Sequence, residues 1–209
     1  MSFSLDLKAF AEKAKGNAEI VIKKVAIDLL SAVVDRSPVG NQELWAANVA
    51  YRGKNKAVAD AYDAHVEVRN MNINMDSSNF TRTGNLRRGV KYAKPLTKAE
   101  RDQNFDVNGL VAGKDYVGGR FRGNWQVSFD VAKTGTLERI DPSGNDSKGE
   151  GVGVIQGFTT QVGTIWMMNN LPYGQPLEYG HSSQAPAGMV RISVLEVQMF
   201  INKAVSELP

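Results

Sequence analysis

The stretch GGRFRGNWQVSFDV, residues 118–131, carries the reading on which the fold class turns. Its first half sets Gly118, Gly119 and Gly123 around two arginines, the composition of a tight turn. A phosphate cradle would need such glycines to lead into a helix N-terminus, and here a strand follows. Trp125, Val127, Phe129 and Val131 alternate with polar residues, the period-2 pattern of a strand with one buried face. A second short apolar run, GTIWMMNN (163–170), is bounded by Gly and Asn and reads as another strand.

Helical patterns flank these strands. Over residues 5–36, Ile22, Val25, Ala26, Leu29, Leu30 and Val33 recur at i, i+3, i+4 and i+7, predicting one buried helix face. Lys13, Lys15, Lys23, Lys24 and Asp28 fall largely elsewhere. Ser4 is a candidate cap, and Gly16 marks a weak point or a break into two helices. Ser37-Pro38 ends the helix, because a residue before proline is pushed out of the helical region. From Pro186 onward, Val190, Val194, Val197, Ile201 and Val205 keep helical spacing, with Pro186 in a first turn, where proline is tolerated. The expectation is an α+β fold: a long N-terminal helix and a C-terminal helix packed on a small, mostly antiparallel sheet.

Composition excludes more than it selects. The chain has 209 residues, 42% apolar and 22% charged, which suits one soluble domain with an insert. With no cysteine, it has no disulfides, cysteine-based metal sites or thiol nucleophiles. A net charge of +3 is too mild to diagnose nucleic-acid binding. No apolar run approaches the roughly 20 residues that span a bilayer. The start MSFSLDLKAF lacks a signal-peptide pattern, so the chain is expected to be made and used in the cytoplasm, or to leave the cell by lysis.

Two regions have a different texture. Residues 133–153 are rich in Gly, Ser, Asp and Lys and read as a long flexible loop. Residues 41–116 read as an insertion, with a helix through NKAVADAYDAHVEVRN and then a basic segment. Within 81–101 lie seven Lys or Arg and a single acid, Glu100. Arg82, Arg87, Arg88, Lys91, Lys94 and Lys98 are candidate contacts for duplex DNA or a partner. Only Phe80 and Tyr92 lie nearby, too few aromatics for single-strand stacking. TRTGNLRRGV (81–90) faintly echoes VGGRFRGNW (117–125).

No constellation assembles a catalytic site. His65 and His181 are the only histidines and neither has metal-ligand spacing. Ser182 and Ser183 adjoin His181, but sequence neighbours seldom aim at one another, and no GxSxG elbow exists. No catalytic, cofactor or metal site is expected, and the chain reads as non-enzymatic. The loop LPYGQPLEYGHSSQAPAGMVR (171–191) instead looks shaped for contact. Prolines stiffen it, glycines permit unusual backbone, and Tyr173 and Tyr179 offer rigid amphipathic area. Glu178, if partly buried, needs a cation, with Arg36, Arg122 and Arg191 as candidates.

RSPV closing the first helix, GGRFRGNWQVS opening a strand, and NNLPYGQPLEYGHSSQAPAGMVR before the last helix resemble the tail-completion (neck) protein family of tailed bacteriophages. The likeness covers residues 1–40 and 117–209, the expected core domain. It departs where GNQ replaces the family's Asp-Thr-Gly and where residues 41–117 intervene. The resemblance implies a virion protein that forms a homo-oligomeric ring at the head–tail junction or completes the upper end of the tail. Its partners would be its own copies and neighbouring neck, connector or tail proteins, with non-specific contact to DNA in the channel and none to membrane. A tail terminator that stops tube growth is the alternative within viruses; a duplex-DNA-binding module using 81–101 is the alternative outside them. The interface expected from the resemblance comprises Arg36, Pro38, Arg120, Phe121, Arg122, Asn124, Trp125, Asn170, Tyr173, Glu178, Tyr179, Gly180, Pro186, Met189 and Arg191.

Overall fold

The computed structural model describes residues 3–208, with side chains from residue 11 onward. It separates into two compact units, Met1–Gly40 with Val117–Pro209, and Asn41–Tyr116.

The first unit is α+β. Helix α1 (Phe3–Arg36) runs unbroken through Gly16. Its buried face is Ala26, Leu30, Val33 and Val34, which join Phe121, Trp125, Val127, Ile155, Leu171 and Met189 in one core. Strand β1 (Gln126–Phe129) pairs antiparallel with β2 (Ile165–Met168), Gln126 opposite Met168 and Phe129 opposite Ile165. The expected alternation holds for Trp125 and Val127 but stops short of Val131, which is 76% exposed. Asp130 takes a left-handed conformation (φ 57°) and its carboxylate accepts the Gly163 and Thr164 N–H groups, ending the strand one residue earlier.

Two sequence expectations need correction. The 133–153 segment is not one flexible loop, because its second half begins helix α4, which follows α2 and α3 of the other unit in chain order and spans Asn145–Gln156. Local propensity hides it, since GNDSKGEGVG is helix-poor. Two tertiary features stabilise it. Asp141, itself buried, accepts the Gly144 and Ser147 N–H groups at the helix start (2.8 and 3.0 Å), and Ile155 anchors the far end in the core. Gly151 makes room for the crossing with α1, since a Cβ there would lie 2.4 Å from Leu30 Cδ2. The C-terminal helix is also broken. After the short helix α5 (Gly174–Glu178), α6 spans Val190–Leu195 and α7 spans Val197–Ser206, with Glu196 between. Pro186 therefore precedes the helix by four residues instead of occupying its first turn.

The second unit is built on α2 (Ala46–Met75), about 45 Å long at 1.5 Å per residue. Ala59 and Val66 form its buried side. A short helix, α3 (Lys98–Phe105), packs back on it, started by a capping box between Thr97 and Glu100. Asn48, wholly buried, ties the two ends of the unit. Its amide donates to the Gln42 and Ala112 carbonyls and its oxygen accepts the Val111 and Ala112 N–H groups, at 2.8–2.9 Å. In the first unit, the chain leaves at Gly40 and returns beside it, where a Cβ on Gly118 would lie 2.0 Å from the Gly40 carbonyl oxygen.

Candidate functional site

The apolar face of α1 is wider than the core can cover. Next to its buried residues run Val21, Ile22, Val25 and Leu29, which form one wall of an open groove of about 620 Å³. The other walls are Thr164–Met167 along β2, and Val190, Val194 and Ile201 from α6 and α7. No ionisable residue lines it. Ile22 is 39% exposed, Trp166 42% and Val194 53%. Val190 and Val194 also border a second shallow groove with Pro186, Ala187 and Leu195. Leu195 is 79% exposed. Single exposed apolar residues are ordinary; a continuous apolar surface of this kind marks an interaction site. The sequence pattern does not single out Ile22, Leu29, Trp166 or Leu195 as surface residues.

Beside this surface lies the 171–191 loop, which is folded tightly on itself. Helix α5 occupies its first half, so Glu178 sits at a helix end and not in open loop. The Glu178 carboxylate accepts the Met189, Val190 and Arg191 N–H groups at 2.9, 3.0 and 2.9 Å, capping the start of α6. Burial alone would raise its pKa. The N–H groups of Arg191, Val190 and Met189, helped by the Arg191 side chain, outweigh burial and hold the carboxyl below its usual range. The expected cation is thus Arg191, but backbone donors do most of the holding. Gly180 and Gly188 have φ of +88° and +85°, and a Cβ on either would strike the Pro186 or Glu178 carbonyl oxygen. Gln184, absent from the sequence reading, fastens the loop to the segment after α1 by exchanging two hydrogen bonds with the Val39 backbone.

The two tyrosines do face outward. Tyr173 is 43% exposed with its ring 5.9 Å from Phe121, and Tyr179 is 65% exposed with the Arg191 guanidinium 5.0 Å over its ring. His181 and Ser183 are exposed, and Ser182 accepts the Gln184 N–H, a turn contact and no catalytic pairing.

Five residues expected at the interface are buried inside their own chain: Pro38, Phe121, Asn124, Trp125 and Met189. They support the surface and cannot present it. Trp125 donates its indole N–H to Ser37 Oγ at 2.7 Å, and Ser37 donates to the Val33 carbonyl at 2.8 Å. Asn124 bridges the Arg120 and Leu137 carbonyls and the Leu137 N–H. Arg122 is equally occupied, donating to the Asp35 and Ser37 carbonyls at the end of α1 and to the Pro142 carbonyl before α4. Arg36 ties α1 to the α6–α7 junction through Ser193 (2.8 Å) and both oxygens of Glu196 (2.7 and 2.8 Å). Asn170 donates to the Lys133 and Gly135 carbonyls. Arg120 remains outside, in an exposed pair with Glu138. Tyr173, Tyr179, Pro186, Arg191 and Arg120 are the members of the expected set that reach solvent; Gly180 is half-buried.

In the other unit, Arg82, Arg87, Arg88, Lys91, Lys94 and Lys98 are all exposed. Arg101, the seventh cation of that stretch, is held by Asp60 and Asp63 of α2. Among the described residues no helix is long and apolar enough to cross a membrane. No protein-family model, curated protein or solved structure matches the chain.

Proposed function

We propose that the chain is a non-enzymatic structural protein of a tailed phage, forming a homo-oligomeric ring at the head–tail junction or completing the upper end of the tail. The observation that carries this reading is the groove between α1, β2 and α6. It is apolar, and it brings no ionisable group to a bound molecule. Such a surface suits an apolar protein segment, whereas chemistry requires convergent polar groups. A ring needs two different patches on each copy, one meeting the other on the next subunit. The groove supplies one, and the loop face with Tyr173 and Tyr179 supplies a distinct second. The resemblance over residues 1–40 and 117–209 supplies the place in the particle, with neighbouring neck, connector or tail proteins as further partners.

A phage lacking this chain should accumulate filled heads and finished tails that do not join. Joined, infectious particles would refute the reading, and overlong tails would assign the chain to tail termination. In the purified protein, Val194→Glu places a charge in the groove at a half-exposed position. Its monomer should stay within about 0.5 kcal/mol of the parent, while self-association is lost. Unchanged association would remove the groove from the interface.

A further inference from the structure

We infer that residues 77–99 form a preordered cationic arm that binds the phosphate backbone of duplex nucleic acid without reading its sequence. This inference does not rest on the neck reading. Six of the chain's 25 Lys and Arg and none of its 22 acids fall in this segment. The arm therefore carries +6, while the rest of the chain, with 19 cations against 22 acids, carries −3. The mild overall charge conceals this division.

The arm's backbone is tied down along α2. Asn79 donates to the Ile73 carbonyl, and a tight turn is closed by the Phe80–Leu86 bridge. The Asn70 amide then exchanges two hydrogen bonds with Ala93 (2.8 and 2.9 Å), and Asp63 accepts the Leu96 N–H at 2.7 Å. Polar side chains of the helix thus hold the return segment by its main chain, and its cations are left outside. Among the described residues none of the six is in an ion pair. Arg87 donates only its Nε–H, to the Phe80 carbonyl. Arg101 is the contrast: where the fold needs a cation, it pairs it with two acids.

A fixed backbone lowers the entropy lost on binding, and an acid-free row of cations fits a polyanion. Two features favour a duplex over a single strand. The arm's only aromatics are Phe80, half-buried, and Tyr92, 45% exposed with its hydroxyl donating to Asn74, so at most one ring is presented where single-strand binding needs a succession of them. The N-terminus of α3, otherwise a phosphate site, is closed by its own Thr97–Glu100 box. What remains is charge contact with phosphates, which positions a protein without specifying a sequence.

The test uses the full chain and a short, labelled duplex DNA of mixed sequence, titrated by fluorescence anisotropy across salt. Six contacts give a log–log slope no steeper than about −5, or roughly 10³-fold weaker binding from about 50 to about 200 mM salt. Two unrelated duplexes should bind alike. The triple variant Arg88→Gln, Lys91→Gln, Lys94→Gln keeps three cations, so its slope should flatten to about −3 and its loss over that range to roughly 40-fold. Its thermal unfolding should match the parent, because all three side chains are exposed. No binding at about 50 mM salt, or a slope unchanged by the triple variant, overturns the inference. So does tighter binding to single-stranded DNA, or displacement of the duplex by polyglutamate or anionic vesicles at equal charge. Phage lacking the whole chain tests the neck reading separately.

Discussion

Replacing Glu178 by Gln changes one atom and removes one charge from the point where the 171–191 loop meets α6. The carboxylate holds three N–H groups at 2.9–3.0 Å, and the Arg191 Nε–H at 3.4 Å. An amide keeps one acceptor and turns an NH₂ toward donors. Rearrangement is blocked by Gly188, where even a Cβ would come within 2.6 Å of Glu178 Oε1. A hydrogen bond to a charged group is worth about 1.5–3 kcal/mol. With the side chain 17% exposed, some of that is screened, leaving a cost of about 2 kcal/mol. For a chain of this length that is a fall in Tm of roughly 4–8 °C. Arg191→Gln, at a side chain 53% exposed, should cost under about 1 kcal/mol. The pH dependence is the sharper check. A depressed carboxylate pKa gives stability that is full above the ordinary value of 4.5 and is lost as pH falls through the folded value. Urea unfolding of both proteins should show the gap at neutral pH and its narrowing as pH falls below 4.5. A gap under about 0.5 kcal/mol at neutral pH, or one that persists undiminished in acid, would refute the capping role.

Two further substitutions test the core of the first unit. Ser37→Ala strips the buried Trp125 indole of its acceptor and should cost about 1–3 kcal/mol in denaturant unfolding; a neutral result would show the indole finds another partner. Gly151→Ala drives a methyl into Leu30 Cδ2 and Val127 Cγ2, which lie 2.4 and 2.9 Å from the added carbon, and should destabilise by about 1–3 kcal/mol despite alanine's better helix propensity. A stabilised variant would mean that the α1–α4 crossing is loose.

What the sequence disclosed and what it withheld divide along the range of the interactions concerned. The alternation through Trp125 and Val127 and the apolar rhythm of α1 are local patterns, and both elements form where they fall. The width of the α1 apolar face was visible too. Which part of it stays uncovered was not, because that depends on how far α4, α6 and β2 reach around it. Helix α4 was hidden because its stability comes from Asp141 and from Ile155 in the core, while its own residues favour turns. Asp141-Pro142-Ser143-Gly144 was the one available signal, a turn with a capping acid. The loop's glycines and prolines announced a fixed shape. The ties that fix it join residues far apart, Gln184 with Val39 and Arg36 with Glu196, and no single-sequence pattern specifies such partners. The pattern GGRFRG suggests an interface for Arg120 and Arg122, with Arg122 also a candidate cation for Glu178, yet Arg122 binds carbonyls at the end of α1, which only the packed structure brings to it.

The contact of Gly40 with Gly118 has a consequence for how such a chain can change. The excursion Asn41–Tyr116 starts and ends at neighbouring points, and Asn48 clasps its two ends from within. To the first unit it amounts to a surface turn, whatever its length, since closure entropy grows only slowly with the residues enclosed. A lineage can therefore lengthen, exchange or delete this cassette while the two points it joins stay side by side. The phosphate binding inferred for residues 77–99 and the self-association proposed for the groove would then evolve as separable traits of one polypeptide.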